Sequence, residues 1–482
     1  MDRILKGLQP DKVFYYFEEI SGIPRGSGNE KEISDFLYKW AAERKLDVVQ
    51  DEALNILIKK PGSAGYENAP PVILQGHMDM VCEKDMDVAA AHDFLKDPLK
   101  LRVEGDHVYA SGTTLGADNG IAVAYAMALL SSEDIPHPPL EVLITTDEEA
   151  GMTGAGGFDT EQLKGRIMIN LDEEYEGKFT AGCAGGGTVK LLIPAVRTAP
   201  RFGNFYRLAV KGLRGGHSGD DIDKEKGNAI KLLGRILYDL KEDIEISSIS
   251  GGAKSNAIPR ESQAMLSVGG ETGFMNCINK WRAVFKNEFA FSDPDIVIAV
   301  DKVNEAAEVY DERTKASLIA SINLLPDGPL RRSPELDMVI YSSNLGVISS
   351  DNDAITLTCA PRSSTQSMLG QFVDNARLLS EVLGIKLETS YFYPGWEYRK
   401  ESGIRDLCLE TYEALYGIKG EVIIIHAGLE CGLFVKKIPD LDAISIGPDL
   451  YDIHTPNEHM SISSVRRTFD FLCKVLERIN NR

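Results

Sequence analysis

The order of apolar segments predicts an α/β protein: a mostly parallel sheet flanked by helices, interrupted by an inserted α+β domain. Three observations carry this. Short apolar runs bounded by turn residues alternate with stretches of helical spacing through the first 170 residues. The texture then changes from about residue 199 and reverts near residue 388, which divides the chain into 1–198, 199–387 and 388–482. Finally, acidic and imidazole side chains recur just beyond the short apolar runs, at the strand ends where open α/β sheets gather their sites.

Residues 11–20 and 30–46 space their apolar groups as helices do (Ile33, Phe36, Leu37, Trp40), with acids in the first turns. Residues 55–58 and 71–75 read as buried strands, residues 121–130 as a compact helix, and residues 141–145 and 166–170 as strands again. Beyond 199, residues 205–210 alternate like a half-exposed strand, followed by Gly-rich 214–219 and a helix near 226–240. Strand 355–358, Arg362-Ser363-Ser364 and helix 366–383 repeat that order, which predicts two duplicated halves in the inserted domain. Residues 441–447 form a last core strand, with His454 just past it.

At 482 residues the chain exceeds one ordinary core and predicts two domains. Its 43% hydrophobic and 26% charged content is that of a globular protein. The net charge of −21, with no basic cluster longer than Arg331-Arg332 or Lys436-Lys437, argues against a nucleic-acid partner. Seven widely spaced cysteines without a CxxC pair fit free thiols in a reducing cytosol. The first seven residues carry no apolar h-region, and the longest apolar run, 121–130, is too short to span a bilayer. The expectation is a cytoplasmic protein without a membrane partner.

Five short motifs hold the chemistry: Gly76-His77-Met78-Asp79, Gly116-Ala117-Asp118-Asn119-Gly120, Thr146-Asp147-Glu148-Glu149-Ala150, Asn170-Leu171-Asp172 and Ile453-His454-Thr455-Pro456. Two imidazoles (His77, His454) and three carboxylates (Asp118, Glu149, Asp172) suffice for two divalent ions with one carboxylate shared, leaving Asp79 and Glu148 to orient and to move protons. His77 and Asp79, at i and i+2, project to one side of an extended segment, so Asp79 can fix the imidazole tautomer. Alone, His77-x-Asp79 suits a solvated loop, and Asp118 at a helix start suits an N-cap. Glu148-Glu149 repel one another unless a cation or a raised pKa relieves them; a solvated acidic turn is the bland alternative. In the inserted domain, His217 in its Gly-rich turn is a candidate oxyanion donor or a surface histidine. Arg362 is a candidate carboxylate clamp or a surface arginine. His92, His107, His137 and His459 read as structural.

With those residues assembled, the chain resembles the aminoacyl-histidine dipeptidase branch of the di-zinc exopeptidase superfamily over nearly its whole length. The longer strings that carry the resemblance include Gln75-Gly76-His77-Met78-Asp79-Met80-Val81, Gly112-Thr113-Thr114-Leu115-Gly116-Ala117-Asp118-Asn119-Gly120, Ser255-Asn256-Ala257-Ile258-Pro259-Arg260-Glu261 and His426-Ala427-Gly428-Leu429-Glu430-Cys431-Gly432. The resemblance implies that His77 and Asp172 hold one metal, Glu149 and His454 the other, and Asp118 bridges them. It further implies Asp79 as orienting carboxylate, Glu148 as the general base that activates a bridging water, and a cis Asp118–Asn119 peptide. The inserted domain would be a lid, supplying His217, Asn256 and Arg362 to the oxyanion and the substrate carboxylate, with His426 nearby. Two zinc ions are implied, with cobalt or manganese as alternatives, along with a small peptide substrate and a homodimer through the lid. Leu171-Asp172-Glu173-Glu174 departs from the family's usual Thr-Asp-Ser/Thr-Glu and puts the charge of Glu173 close to the site. The rival readings are a tripeptidase, a carboxypeptidase or an N-acyl amino acid deacylase of the same superfamily, or a catalytically silent peptide binder.

Overall fold

The computed structural model describes residues 3–87, 92–304, 306–334 and 338–479. The chain forms two compact units, one of residues Met1–Gly182, Tyr398–Ile424 and Leu429–Arg482, the other of Cys183–Glu397 and Ile425–Gly428.

The first unit is built on an eight-stranded sheet. Its four central strands, in the order Leu140–Thr145, Val72–His77, Ile167–Asn170 and Asp442–Ser445, run parallel. Toward the edges, Ile56–Lys60 and Asp47–Gln50 add antiparallel on one side, and Lys178–Cys183 pairs antiparallel with Asp442–Ser445 on the other. The sheet is therefore parallel where the candidate ligands sit and mixed at its borders. Val72–His77 and Leu140–Thr145 are buried along their whole length, as parallel strands covered on both faces must be.

Helix Ala117–Leu130 lies across this sheet and packs against helix Asp11–Ser21. It is apolar on every side and buried from Asn119 to Leu130, the pattern of a helix enclosed by protein. Each large side chain it buries, such as Ile121 or Leu129, stabilises the unit by roughly 1.5–3 kcal/mol. Its one buried phenol, Tyr125, donates to the Val465 carbonyl at 2.9 Å, so the polar atom is satisfied. The helix sits so near the strand end that a Cβ on Gly76 would meet Asn119 Oδ1 at 2.4 Å and Ala122 Cβ at 2.6 Å. Only glycine permits that approach.

A small antiparallel sheet, in the order Leu450–Tyr451, His459–Ser461, His107–Ala110, Leu101–Glu104, carries the loop with His454. His459 stacks between Tyr109 and Tyr451 there.

In the second unit, one continuous sheet is ordered Val297–Val303, Asn204–Lys211, Ser262–Val268, Ile244–Gly251, Met338–Ser350, Ala354–Ser363, Gly185–Pro194, Lys386–Tyr393. The two sets of four are mirror images in chain order, joined where Gly251 pairs with Ile348. A duplicated α+β plan is thus present, but not between the segments paired from sequence. Strand Asn204–Lys211 corresponds to Gly185–Pro194, and helix Ala229–Asp239 to Glu312–Leu324, while Gln366–Leu383 matches Glu271–Glu288. The sequence placed the crossings at 198/199 and 387/388. Backbone packing places them at 182/183 and 397/398, because Gly185–Pro194 hydrogen-bonds between Ala354–Ser363 and Lys386–Tyr393.

Among the described residues, no disulfide links any of the seven cysteines. Among the described residues, no helix is long and apolar enough to cross a membrane.

Candidate metal centre

Parallel strands put their carboxyl ends on one rim, and the motifs meet there. His77 ends strand Val72–His77. Asp118 opens helix Ala117–Leu130 in a non-helical conformation (φ −78°, ψ 106°), with a cis peptide to Asn119. Glu148 and Glu149 begin the short helix after Leu140–Thr145, and Asp172 follows Ile167–Asn170. His454 enters from the small antiparallel sheet, hundreds of positions later, with φ 60°.

The two oxygens of Asp118 face different imidazoles. Oδ1 lies 3.2 Å from His77 Nε2, and Oδ2 lies 3.1 Å from His454 Nε2. Asp172 Oδ1 is 3.5 Å from His77 Nε2, and Glu149 Oε1 is 3.0 Å from His454 Nε2. Two triads result, His77-Asp118-Asp172 and Asp118-Glu149-His454, sharing Asp118, with the ligand atoms of each within 4.8 Å of one another. A tetrahedral ion with bonds of about 2.0–2.1 Å has ligand–ligand edges of about 3.3 Å, so these spacings suit zinc-sized ions. Each triad offers three donors, which leaves coordination positions for water or substrate.

The other ring nitrogen of His77 is 3.1 Å from the Asp79 carbonyl and 3.3 Å from Asp79 Oδ1, so Nδ1 donates there and Nε2 faces the site, where loss of its proton would free a lone pair for a metal. Asp79 is fully buried; it accepts the Ser27 hydroxyl at 2.8 Å and the Glu148 and Glu149 amides at 3.1 and 3.3 Å. Asn119 ties the segments together, accepting the His77 amide and donating to the Leu171 carbonyl. The Glu148 carboxyl makes no hydrogen bond of its own among the described residues.

Burial would lower His77, yet Asp172, Asp118 and Asp79 hold its imidazole well above the ordinary range. Hydrogen bonds to Asp118 and Glu149 raise His454 to about 11. Burial pushes Asp118 up, but both imidazoles outweigh it and keep the carboxylate below its usual range. Burial, with Asp118 and Glu149 adding, lifts Asp172 to about 6. Glu148 is raised well above a normal carboxyl, first by burial and then by Asp172, Glu430 and Glu149. In this acid-rich pocket, two imidazolium protons hold the charge that divalent cations would otherwise supply, so metal binding would release protons.

Glu173 does not behave as its position suggested. Its carboxyl turns inward to the Thr180 hydroxyl. The neighbour Glu174 faces the acids instead: burial, with Asp118, Glu173 and Asp172 adding, raises it to about 8.

The second unit gathers its own candidates. His217 pairs in register with Ala257, and the Ser218 amide donates to the Asn256 carbonyl at 2.9 Å. The amide of Asn344 holds that turn through the carbonyls of Ser255 and Ala257. Arg362 Nη1 lies 3.5 Å from the His426 carbonyl, and His426 Nε2 lies 2.7 Å from the Ser342 hydroxyl. His217 Nδ1 is 3.1 Å from Asp220 Oδ2. The four residues named from sequence thus share one region of that unit.

Three buried groups at the rim escaped the motif reading. Glu430 accepts from Thr145 at 2.6 Å and from Gln75, and Gln75 in turn accepts from Asn170 at 2.7 Å, which links three ligand-bearing strands beneath the site. Arg25 and Glu458 hold the loop before Asp118. Glu430 stands inside the quoted His426–Gly432 string, and Glu458 lies four residues past His454; the signal for Arg25 is only its setting in Gly22-Ile23-Pro24-Arg25-Gly26-Ser27-Gly28.

The chain is similar in sequence and fold to known peptidases. Residues 73–478 match the model of peptidase family M20/M25/M40. The cytosol non-specific dipeptidase of Escherichia coli (strain K12) is 38% identical over 98% of this chain and 99% of its own length. The crystal structure of aminoacylhistidine dipeptidase from Vibrio alginolyticus superposes with a TM-score of 0.92 at 38% identity, covering 98% of this chain and 97% of that one. A tripeptidase from Staphylococcus aureus shares the fold at 17% identity and a TM-score of 0.57, covering 98% of this chain and 100% of that one.

Proposed function

The chain belongs to peptidase family M20/M25/M40, and from that premise and the rim geometry we propose that it is a two-metal dipeptidase cleaving unblocked dipeptides, Xaa-His among them. The observation that carries the proposal is Asp118, with one oxygen toward His77 and the other toward His454. His77 and Asp172 would hold one ion, Glu149 and His454 the other, and Asp118 would bridge. Zinc suits the mixed imidazole and carboxylate set, with cobalt and manganese as alternatives, since such sites accept several divalent ions. When bound, the pair supplies Lewis acidity, making a shared water acidic near neutral pH and polarising the scissile carbonyl.

The remaining chemistry falls to this chain's side chains. Glu148, with a free carboxyl raised by burial, takes the proton from the attacking water and passes it to the departing amine. Asp79 keeps His77 in one tautomer and, through two backbone amides, fixes the start of the helix that presents Glu148. In the second unit, Arg362 is assigned to the substrate's terminal carboxylate, whose planar fork it matches. His217 is assigned to the developing oxyanion, with Asn256 and His426 in support. The closest competitor is a related peptidase of different chain length preference. The E. coli protein, similar over its full length, is a dipeptidase by name, which favours dipeptides. A cytoplasmic homodimer completes the proposal.

The test is elemental analysis of purified protein, followed by hydrolysis of Ala-His, β-Ala-His, Gly-Gly-Gly and N-acetyl amino acids with and without chelator. Two equivalents of metal and chelator-sensitive cleavage of the dipeptides are expected. Metal-replete protein that cleaves only the tripeptide or the acyl amino acids would overturn the dipeptide assignment. Sedimentation analysis checks the dimer.

A further inference from the structure

The loop that delivers the bridging carboxylate is gripped from both sides by a buried ion of each sign. Glu458 is 2% exposed, and its carboxylate is spent on backbone. Oε2 accepts the amides of Leu115 and Gly116 at 2.8 and 2.9 Å; Oε1 accepts those of Ala117 and Asp118 at 2.8 and 3.4 Å. Arg25, also 2% exposed, takes carbonyls. Its Nη2 donates to Gly116, and its Nη1 donates to Met78 at 3.0 Å, with Asp79 at 3.4 Å. The Gly116 residue thus gives its N–H to the anion and its C=O to the cation. Glycine is required at two places for the guanidinium to fit: a Cβ on Gly116 or Gly120 would stand 2.6 or 2.5 Å from Arg25 Nη2.

The contacts bind together three segments that carry site residues. Arg25 joins 77–79 to 116–118, and Glu458 joins 116–118 to the loop of His454, four residues before it. A carboxylate is the group suited to this place, because four converging N–H donors need two acceptor oxygens. An uncompensated charge beside the acids of the rim would be unfavourable, and Arg25 offsets it while its hydrogen bonds go to backbone carbonyls rather than to those carboxylates.

We infer that Arg25 and Glu458 are positioning residues that act as one clamp, setting where Asp118 stands and hence whether one carboxylate can serve two cations. This inference rests on the two-metal reading proposed above. The comparison variant is Glu141→Gln. Glu141 is 4% exposed and likewise accepts backbone amides, those of Lys164 and Gly165, but lies on a strand end away from the rim.

Full-length apoprotein is titrated with Zn2+ by calorimetry, and thermal unfolding is followed in parallel. Glu458→Gln and Arg25→Lys are each expected to weaken zinc binding at least tenfold and to reduce the stoichiometry below two. The double variant should lose no more than the worse single variant, because one device is already broken. Glu141→Gln should lose comparable thermal stability and keep wild-type zinc binding. Equal stability losses with wild-type zinc binding in all variants would overturn the clamp. If Glu458→Gln fails to fold, Glu458→Asp and Arg25→Lys undergo the same titration with the same reading. Zinc binding requires no turnover, so two-zinc wild type that cleaves no dipeptide overturns the proposed activity and leaves the clamp standing. A wild type that binds no pair of ions overturns both.

Discussion

The two units treat their candidate residues in opposite ways. In the first, every predicted ligand faces another across 3.0–3.5 Å, and the supporting residues Asp79, Asn119, Glu430 and Glu458 are buried and hydrogen-bonded. In the second, His217 keeps 37% of its side chain exposed, and the buried Nε of Arg362 has no hydrogen-bond partner among the described residues. The first is a preorganised cage whose charge calls for cations. The second is a set of donors, and donors left unmade in protein suit a ligand that brings acceptors. The contrast argues that binding of metal and binding of substrate are separable by mutation.

The sharpest way to break that division is to remove the base. Glu148→Ala should lower kcat by a factor on the order of 10³ while metal content stays at the wild-type value, because Glu148 holds no place in either triad. Assay of Ala-His hydrolysis beside elemental analysis reads both. Near-normal turnover would remove Glu148 from the mechanism. Asp118→Asn comes next. An amide offers one neutral oxygen where both imidazoles face a carboxylate, so zinc affinity should fall by at least about 100-fold and one ion be lost. Two zinc ions retained at wild-type affinity would show that Asp118 does not bridge.

The residues of the first cage were legible because strand polarity alone brings them together. Buried runs at 71–75, 141–145 and 166–170 end just before His77, Glu148 and Asp172, and parallel strands share a rim. His454 was legible only as the last imidazole in a consistent series. Arg25 and Glu458 left no such trace. Their partners are backbone amides and carbonyls 53 to 343 positions away, and backbone groups have no signature in composition or periodicity. The crossing at 182/183 was missed for a related reason. Strand Gly185–Pro194 has the same apolar texture whichever sheet it joins, and only its pairing with Ala354–Ser363 decides. Glu173 and Glu174 show the limit from the other side: adjacent acids look alike in sequence, yet one turns to Thr180 and the other to the rim.

Arg362→Lys sharpens the comparison from the second unit. Lysine keeps the charge but loses the bidentate fork, so KM for dipeptides should rise about 10- to 100-fold with zinc affinity unchanged. A dipeptide amide, lacking the carboxylate, should discriminate little between wild type and variant. An equal KM change for acid and amide would place Arg362 elsewhere in recognition.

The smallest effect concerns pH and also belongs to the second unit. Burial, with Arg362 adding, lowers the His426 imidazole from 6.5 to about 4, against weaker pulls from Asp223 and Asp220, and its Nε2 lies 2.7 Å from the Ser342 hydroxyl. Between those two values the unfolded chain takes up a proton that the folded one refuses, so the unfolded state is favoured as pH falls. The stabilising contribution is therefore whole above about 6.5, declines toward pH 4, and declines no further below it. His426→Gln keeps a polar group near Ser342 but cannot titrate. Melting temperatures of chelator-stripped wild type should fall by a few degrees more than those of the variant between pH 7 and 4.5, since metal loss is removed from both curves. Parallel curves would mean that the imidazole is not held neutral in the fold, and the reading of His426 as a half-buried, uncharged support for the Arg362 region would be lost with it.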